Sequence, residues 1–237
     1  ALHNNTSASD NTAVGFKAGY VVTTGANNTA VGASALLANT TGASNTAVGR
    51  LSLSTNITGA NNTAIGLQSL ANAVGSNNTA VGMNALVITT SGADNTAIGH
   101  LAMQENTSGA SNTAVGKKAL FSSTTASNNT GVGFNAGLSV TTGIQNALIG
   151  GQAGDALTDA DFNVAVGTAA LSSDTLGSRS TALGHGTLFN QNFTSATDTY
   201  NVAVGYNAGQ QVTTGVQNTL IGALAGDALT DADTNVA

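Results

Sequence analysis

The 237 residues contain no cysteine, no proline and no tryptophan, and only 7% of the side chains are charged. The absence of Cys removes disulfides, thiolate zinc sites and cysteine nucleophiles. Five Lys and Arg against eleven Asp and Glu leave a formal charge of −6, the wrong sign for binding nucleic acid through its phosphates. A typical soluble domain is about a quarter charged, so few side chains here call for water. Aromatics make up 4% and hydrophobic residues 41%, the latter mostly Ala with Val, Leu and Ile. Such small side chains fill a large core poorly, yet the low charge and ordinary hydrophobic content argue against disorder. No apolar run approaches the ~20 residues of a membrane span. No basic-then-apolar leader opens the sequence.

What is present is a repeat. The pentad N-T-A-V-G, or a close variant, starts at Asn11, Asn28, Asn45, Asn62, Asn78, Asn95, Asn112, Asn129, Asn146, Asn163, Ser180, Asn201 and Asn218, with a truncated copy at Asn235. The spacing is 17 residues, except for one step of 16 and one of 21. Each unit continues as G-x-x-A-[LG], then variable residues, then T-T-G or a relative such as Thr23-Thr24-Gly25 or Thr141-Thr142-Gly143. No segment carries the 3.6-residue apolar period of a helix. A strand alternates its side chains between two faces. We therefore expect the fourth pentad residue (Val14, Val31, Ile65, Ile98, Ile149 and Leu183) inside the coil. The small third and fifth residues, Ala and Gly, then permit close approach of another backbone.

Seventeen residues make one winding of a parallel β-solenoid, so the expected fold is an all-β β-roll of about fourteen coils stacked at ~4.8 Å, a rod of roughly 65 Å. The expected domain layout is one continuous array over 1–237, a window cut from a longer chain, with a four-residue insertion in the loop 188–200. Asn recurs in thirteen of fourteen pentads, which suits a structural ladder at one corner, bonding coil to coil as stacked amides do. The ladder residues are Asn11, Asn28, Asn45, Asn62, Asn78, Asn95, Asn112, Asn129, Asn146, Asn163, Asn201 and Asn218. The core of each coil is thin. Oligomerisation through the Ala/Gly face would add burial, and three chains about one axis is the simplest closed arrangement.

Runs such as Asn28-Thr29-Ala30-Val31-Gly32-Ala33-Ser34-Ala35-Leu36 followed by Thr40-Thr41-Gly42 resemble the head (Hep/Hag) repeats of YadA-type trimeric adhesins, which read S-V-A-I-G. The resemblance implies a left-handed parallel β-roll of three intertwined chains on a cell surface. This chain departs from that family in its longer period. The N-T-A-[VI]-G and G-D-A-L-T arrays also look like those of tail-fibre and structural proteins of marine bacteriophages. The second half, with Gly154-Asp155-Ala156-Leu157-Thr158 and Asn163-Val164-Ala165-Val166-Gly167, is most similar to that variety. Residues 133–165 and 205–237 match at 25 of 33 positions, which points to growth by duplication.

Candidate sites are few. The blocks Gly154–Asp161 and Gly226–Asp233 hold Asp155, Asp159, Asp161, Asp227, Asp231 and Asp233, six of the eleven acids. Oxygen-rich turns of this kind suit Ca²⁺, although a solvated turn is the plainer reading. The insertion loop carries Phe189, Asn190, Gln191, Asn192 and Phe193, aromatics and amides that suit contact with a cell-surface glycan or protein receptor. The plainer alternative is a bulge packed on its own coil. The residues after each pentad Gly vary freely, which ordinary solvent exposure explains. One Glu, three scattered His and no G-x-S-x-G speak against an enzyme, and no cofactor beyond Ca²⁺ is implied.

The expected function is a structural fibre segment with an adhesive role, a stiff homotrimeric rod on a phage virion and therefore extracellular. The alternative is the head or stalk of a bacterial trimeric autotransporter-type adhesin. Ice binding, which needs a regular outward T-x-T array, and a calcium-dependent filament are the remaining readings.

Overall fold

The computed structural model describes all residues 1–237. It is an all-β solenoid of about 12 turns with parallel strands and no helix. The sequence estimate of about fourteen counted every pentad start as a winding. The Asn235 copy instead forms a partial turn, held by the bridge between Val236 and Thr219 and by two hydrogen bonds from Asn235 to Asn218 Oδ1, and the first ten residues form another.

The chain divides into two compact units, Ala1–Lys117 and Lys118–Ala237. The first contains β1 (Thr12–Val14), β2 (Thr29–Val31), β3 (Thr46–Val48), β4 (Thr63–Ile65), β5 (Thr79–Val81), β6 (Thr96–Ile98) and β7 (Thr113–Val115). The second contains β8 (Thr130–Val132), β9 (Ala147–Ile149), β10 (Val164–Val166), β11 (Gly177–Ser178), β12 (Thr181–Leu183), β13 (Thr197–Asp198), β14 (Val202–Val204) and β15 (Thr219–Ile221). Within each unit the pentad strands pair in parallel, in register with the same pentad positions of the next turn: Thr12 with Thr29, Ala13 with Ala30, Val14 with Val31. The short strands β11 and β13 pair only with each other and span the insertion.

Outside the strands the backbone still bonds from turn to turn. Gly32 N donates to Val14 O of the turn before (2.8 Å), while Leu36 N donates to Ser52 O of the turn after (3.0 Å). Proline cannot serve such donors, and its absence follows. The corners need left-handed residues at three places per turn, for example Ser34, Leu36 and Ser44 at φ of 58°, 51° and 58°. The pentad Gly lies beyond that region. At Gly82 φ is 139°, and an added Cβ would sit 2.5 Å from Gly99 O in the next turn. Both the angle and the approach admit only Gly.

The strand faces are the reverse of the sequence expectation. The third pentad residue points inward, and Ala47, Ala64, Ala80, Ala97 and Ala165 are wholly buried. The fourth points outward, with Ile65, Ile98 and Ile149 each 40% exposed. The reason is the room at the centre. The interior is already taken by the residue four places after the pentad Gly, as Leu36, Leu53, Leu70, Leu86, Met103 and Leu120, all fully buried. At Gly131, which replaces the inward Ala, a Cβ would lie 2.8 Å from Leu120 Cγ. A branched residue there would overpack the turn. The same finding removes the Ala/Gly face as an oligomer contact, because its Ala side chains are spent inside their own turn.

Each turn fills its core in one of two ways. Where the central residue is Leu or Met, the residue three further on is usually small or polar, as in Leu36/Asn39, Leu53/Asn56, Leu86/Thr89 and Leu120/Ser123. Where it is Gly, that later residue is aliphatic, as in Gly137/Val140, Gly154/Leu157 and Gly209/Val212. Space is the cause. A Cβ on Gly137 would fall 2.7 Å from both Leu120 Cδ2 and Leu148 Cδ1. Holding Leu at positive φ costs about 1–2 kcal/mol, which burial of its side chain offsets at about 1.5–3 kcal/mol.

Gly82→Ala should lower unfolding free energy by at least ~2 kcal/mol, read by urea denaturation followed by circular dichroism. Leu86→Gly should cost about 3–5 kcal/mol. Thr89 is buried and its Oγ1 has no hydrogen-bond partner. Thr89→Val should therefore add about 1 kcal/mol alone and restore part of the loss when combined with Leu86→Gly. A double variant no more stable than Leu86→Gly would contradict the exchange.

Candidate functional site

The pentad Asn side chains from Asn28 to Asn218 are buried at the corner ahead of each strand, and they make two kinds of contact. In Asn28, Oδ1 accepts the backbone N–H of Asn45 in the next turn (2.9 Å), while Nδ2 donates to Gly42 O across its own turn (3.0 Å). The pattern recurs at Asn11, Asn45, Asn62, Asn78, Asn146, Asn163 and Asn218, in the second kind with Ala160 O as acceptor for Asn146 and Ala232 O for Asn218. Asn95 bonds to Asn112 N and Gly109 O, Asn129 to Asn146 N and Gly143 O, and Asn201 to Asn218 N and Gly215 O. The amide acts mainly on backbone, closing one turn and holding the next. Direct amide-to-amide bonds, such as Asn45 Nδ2 to Asn28 Oδ1 at 3.1 Å, supplement it.

Ser180 breaks the row, since its side chain is too short to do both jobs. A buried polar cluster takes its place. Ser180 Oγ lies 2.6 Å from Thr199 Oγ1, Gln191 Nε2 donates to Ser180 Oγ (2.8 Å) and to Asp174 Oδ2 (2.6 Å), and Asn201 Nδ2 donates to Gln191 Oε1 (2.8 Å). Asp174 Oδ1 accepts the N–H groups of Gly177 and Phe193, each at 3.0 Å. The sequence reading missed this cluster. Its one visible signal was a lone Asp at a position that elsewhere holds an uncharged residue: Asn, Gln, Ser, Thr or an aliphatic.

That cluster reassigns the loop candidates. Gln191 is fully buried and Phe193 7% exposed, so neither reaches a ligand. Phe189 and Asn190 are half-buried and Asn192 is exposed. Asn190 Nδ2 donates to Gln211 Oε1 and Asn192 Oδ1 accepts from Thr175 Oγ1. The insertion packs Phe193 inward, and the residues it presents to solvent are Asn192, Thr194–Ala196, Asp198 and Tyr200.

The acidic turns are also engaged with neighbouring turns. Asp155 Oδ1 accepts from Ser172 Oγ (2.7 Å), Asp159 Oδ1 from Thr142 Oγ1, and Asp161 Oδ1 from Ile144 N (2.7 Å). In the second block Asp233 Oδ1 accepts from Val216 N (2.8 Å) and Asp231 Oδ1 from Thr230 Oγ1 (3.1 Å), while Asp227 N donates to Leu224 O. No three His, Asp or Glu side chains converge on one point.

One feature of the surface was hidden by the inverted strand assignment. In the first unit the outward residues are Thr and Val or Ile in every strand from β1 to β7, in register from turn to turn. In the second unit Thr persists in β8, β12 and β15 and is replaced by Ala or Val in β9, β10 and β14. The first unit thus presents an uncharged, regular Thr/Val surface, and the second an uncharged one in which Thr gives way to Ala or Val in half of the pentad strands. No family of proteins, no curated protein and no solved structure matches the chain.

The corner amide is open to a direct test. Asn95→Ala should lower unfolding free energy by about 1–3 kcal/mol, because Asn112 N loses its buried acceptor and Gly109 O keeps only the Asn106 amide. Asn95→Asp keeps the acceptor and sets a carboxylate against the Gly109 and Asn78 oxygens. Protonation restores a donor, so its deficit should shrink as pH falls toward 4. A deficit independent of pH would contradict the donor role of Asn95.

Proposed function

We propose that this chain is a structural segment of an extracellular fibre, built from three copies and carrying an adhesive role on a phage virion. The observation that supports it is the outward row of Val and Ile on in-register turns, accompanied by a regular row of Thr in the first unit. Every turn packs on its neighbours in the same way, so turns can be added by repeating one kind of contact, as a spacer requires. The Val and Ile row leaves apolar area in water, which association of copies would bury. The copy-to-copy contact we propose is therefore this face. Three chains repeat any weak surface contact, and avidity then exceeds single-site affinity. The G-D-A-L-T blocks, similar to phage arrays, favour a virion over the surface of a bacterial adhesin, which would share the same physics.

A second reading uses the same face. Rows of Thr hydroxyls and Val or Ile methyls repeated in register on a parallel sheet suit ordering of water against ice, and the first unit holds seven such strands. The two readings exclude each other on one surface. Light scattering on the purified chain should give three times 23.0 kDa. Val81→Lys combined with Ile98→Lys should give single chains with an unchanged far-ultraviolet spectrum. A single-chain mass for the unsubstituted protein sinks the trimer. If the same preparation shows thermal hysteresis that Thr79→Lys with Thr96→Lys abolishes, ice is the ligand of the face.

A further inference from the structure

The position just before each pentad is left-handed in every turn and, with three exceptions, carries Asn, Asp, Ser, Gln or Thr. The exceptions are consecutive: Phe162, Arg179 and Tyr200, at φ of 60°, 64° and 51°. They fall where the chain has its only insertion. The other turns close this corner with small polar side chains, so the fold does not demand a ring or a guanidinium here.

The three side chains form one assembled patch with Asp198. The Arg179 guanidinium carbon lies 4.7 Å from the centre of the Phe162 ring, and Nε is 2.9 Å from Asp198 Oδ1. The Tyr200 hydroxyl donates to Asp198 Oδ2 at 3.3 Å. Asp198 is itself placed by the pairing of β13 with β11, the strand that leads into Arg179. This is the one ion pair in the chain, and an exposed pair adds only ~0–1 kcal/mol to stability. The patch stays open: Phe162 is 38% and Tyr200 52% exposed. The Arg179 Nη nitrogens donate to no protein group.

We propose that Phe162, Arg179, Asp198 and Tyr200 form a binding site for an uncharged saccharide. An exposed ring fixed at its hydroxyl offers a flat face for the C–H side of a sugar ring. The guanidinium fork supplies donors and the carboxylate acceptors for adjacent hydroxyls. Charge sets the ligand class. The one cation is neutralised by Asp198, Asp161 lies in the neighbouring turn, and the chain carries −6 overall. An anionic ligand is disfavoured there, and a neutral polar one is not. This site deepens the adhesive reading and replaces the loop residues the sequence suggested with ones that reach solvent.

The test is saturation-transfer NMR on the full chain with methyl α-mannoside, methyl β-galactoside and N-acetylglucosamine as probes. Transfer to at least one sugar is expected, lost in Arg179→Ala and Tyr200→Ala and kept in Tyr200→Phe. It should also survive Tyr206→Ala, which removes an exposed ring stacked on His185 outside the patch. No transfer to any of the three sugars from the unsubstituted protein overturns the proposal. So does transfer that survives both patch substitutions in proteins with unchanged circular dichroism. Light scattering on the same samples separates the two ideas. A trimer that binds no sugar leaves the fibre and removes the site, and a single chain that binds sugar does the reverse.

Discussion

One side-chain amide per turn holds the solenoid together at its tightest corner. A flattened winding of seventeen residues has to satisfy nearly all its backbone donors and acceptors on the turns before and after it. At the corner ahead of each strand the backbone changes direction and two of those groups would be left alone. Asn supplies both an acceptor and a donor within one short side chain, so a single residue type meets both needs. Asp lacks the donor and Gln is a methylene longer. The low charge and the invariant Gly follow from the same geometry, because turns this close leave neither room nor water for larger groups.

Much of this was readable from residues alone. The period, the parallel stacking, the Gly column and a structural role for Asn all follow from the recurrence of one pentad. The facing of the strand did not. In N-T-A-V-G the period-2 alternation offers two sets, Thr with Val and Ala with Gly, and hydrophobicity alone selects Val for the inside. What decides the matter is Leu36, Leu53 and their equivalents, five residues beyond the outward Val, which already occupy the centre. The exchange of Leu36/Asn39 for Gly137/Val140 recorded this in the sequence, since only residues that share a core trade volume in that way.

The surface was harder to read for a different reason. Composition singled out Phe189–Phe193 because aromatics and amides cluster there. Burial then separates them, with Gln191 repairing the gap left by Ser180 and Phe193 covering Asp174. The exposed chemistry at the insertion is carried by Arg179, Asp198 and Tyr200, which are spread over two turns and meet only through the stacking. Repetition helps here, because the same position in every other turn shows what the fold alone would place there.

The constant one-turn offset between bonded residues also bears on how the chain folds. Most contacts that hold a turn link residues about seventeen apart, however long the array becomes. The entropy of closing each loop is then the same for the last turn as for the first. Once one turn has formed, its edge is a template whose next strand is always one short loop away. Folding time should grow with the number of turns rather than with the separation of the chain ends. A long fibre of this design faces no greater topological search than a short one.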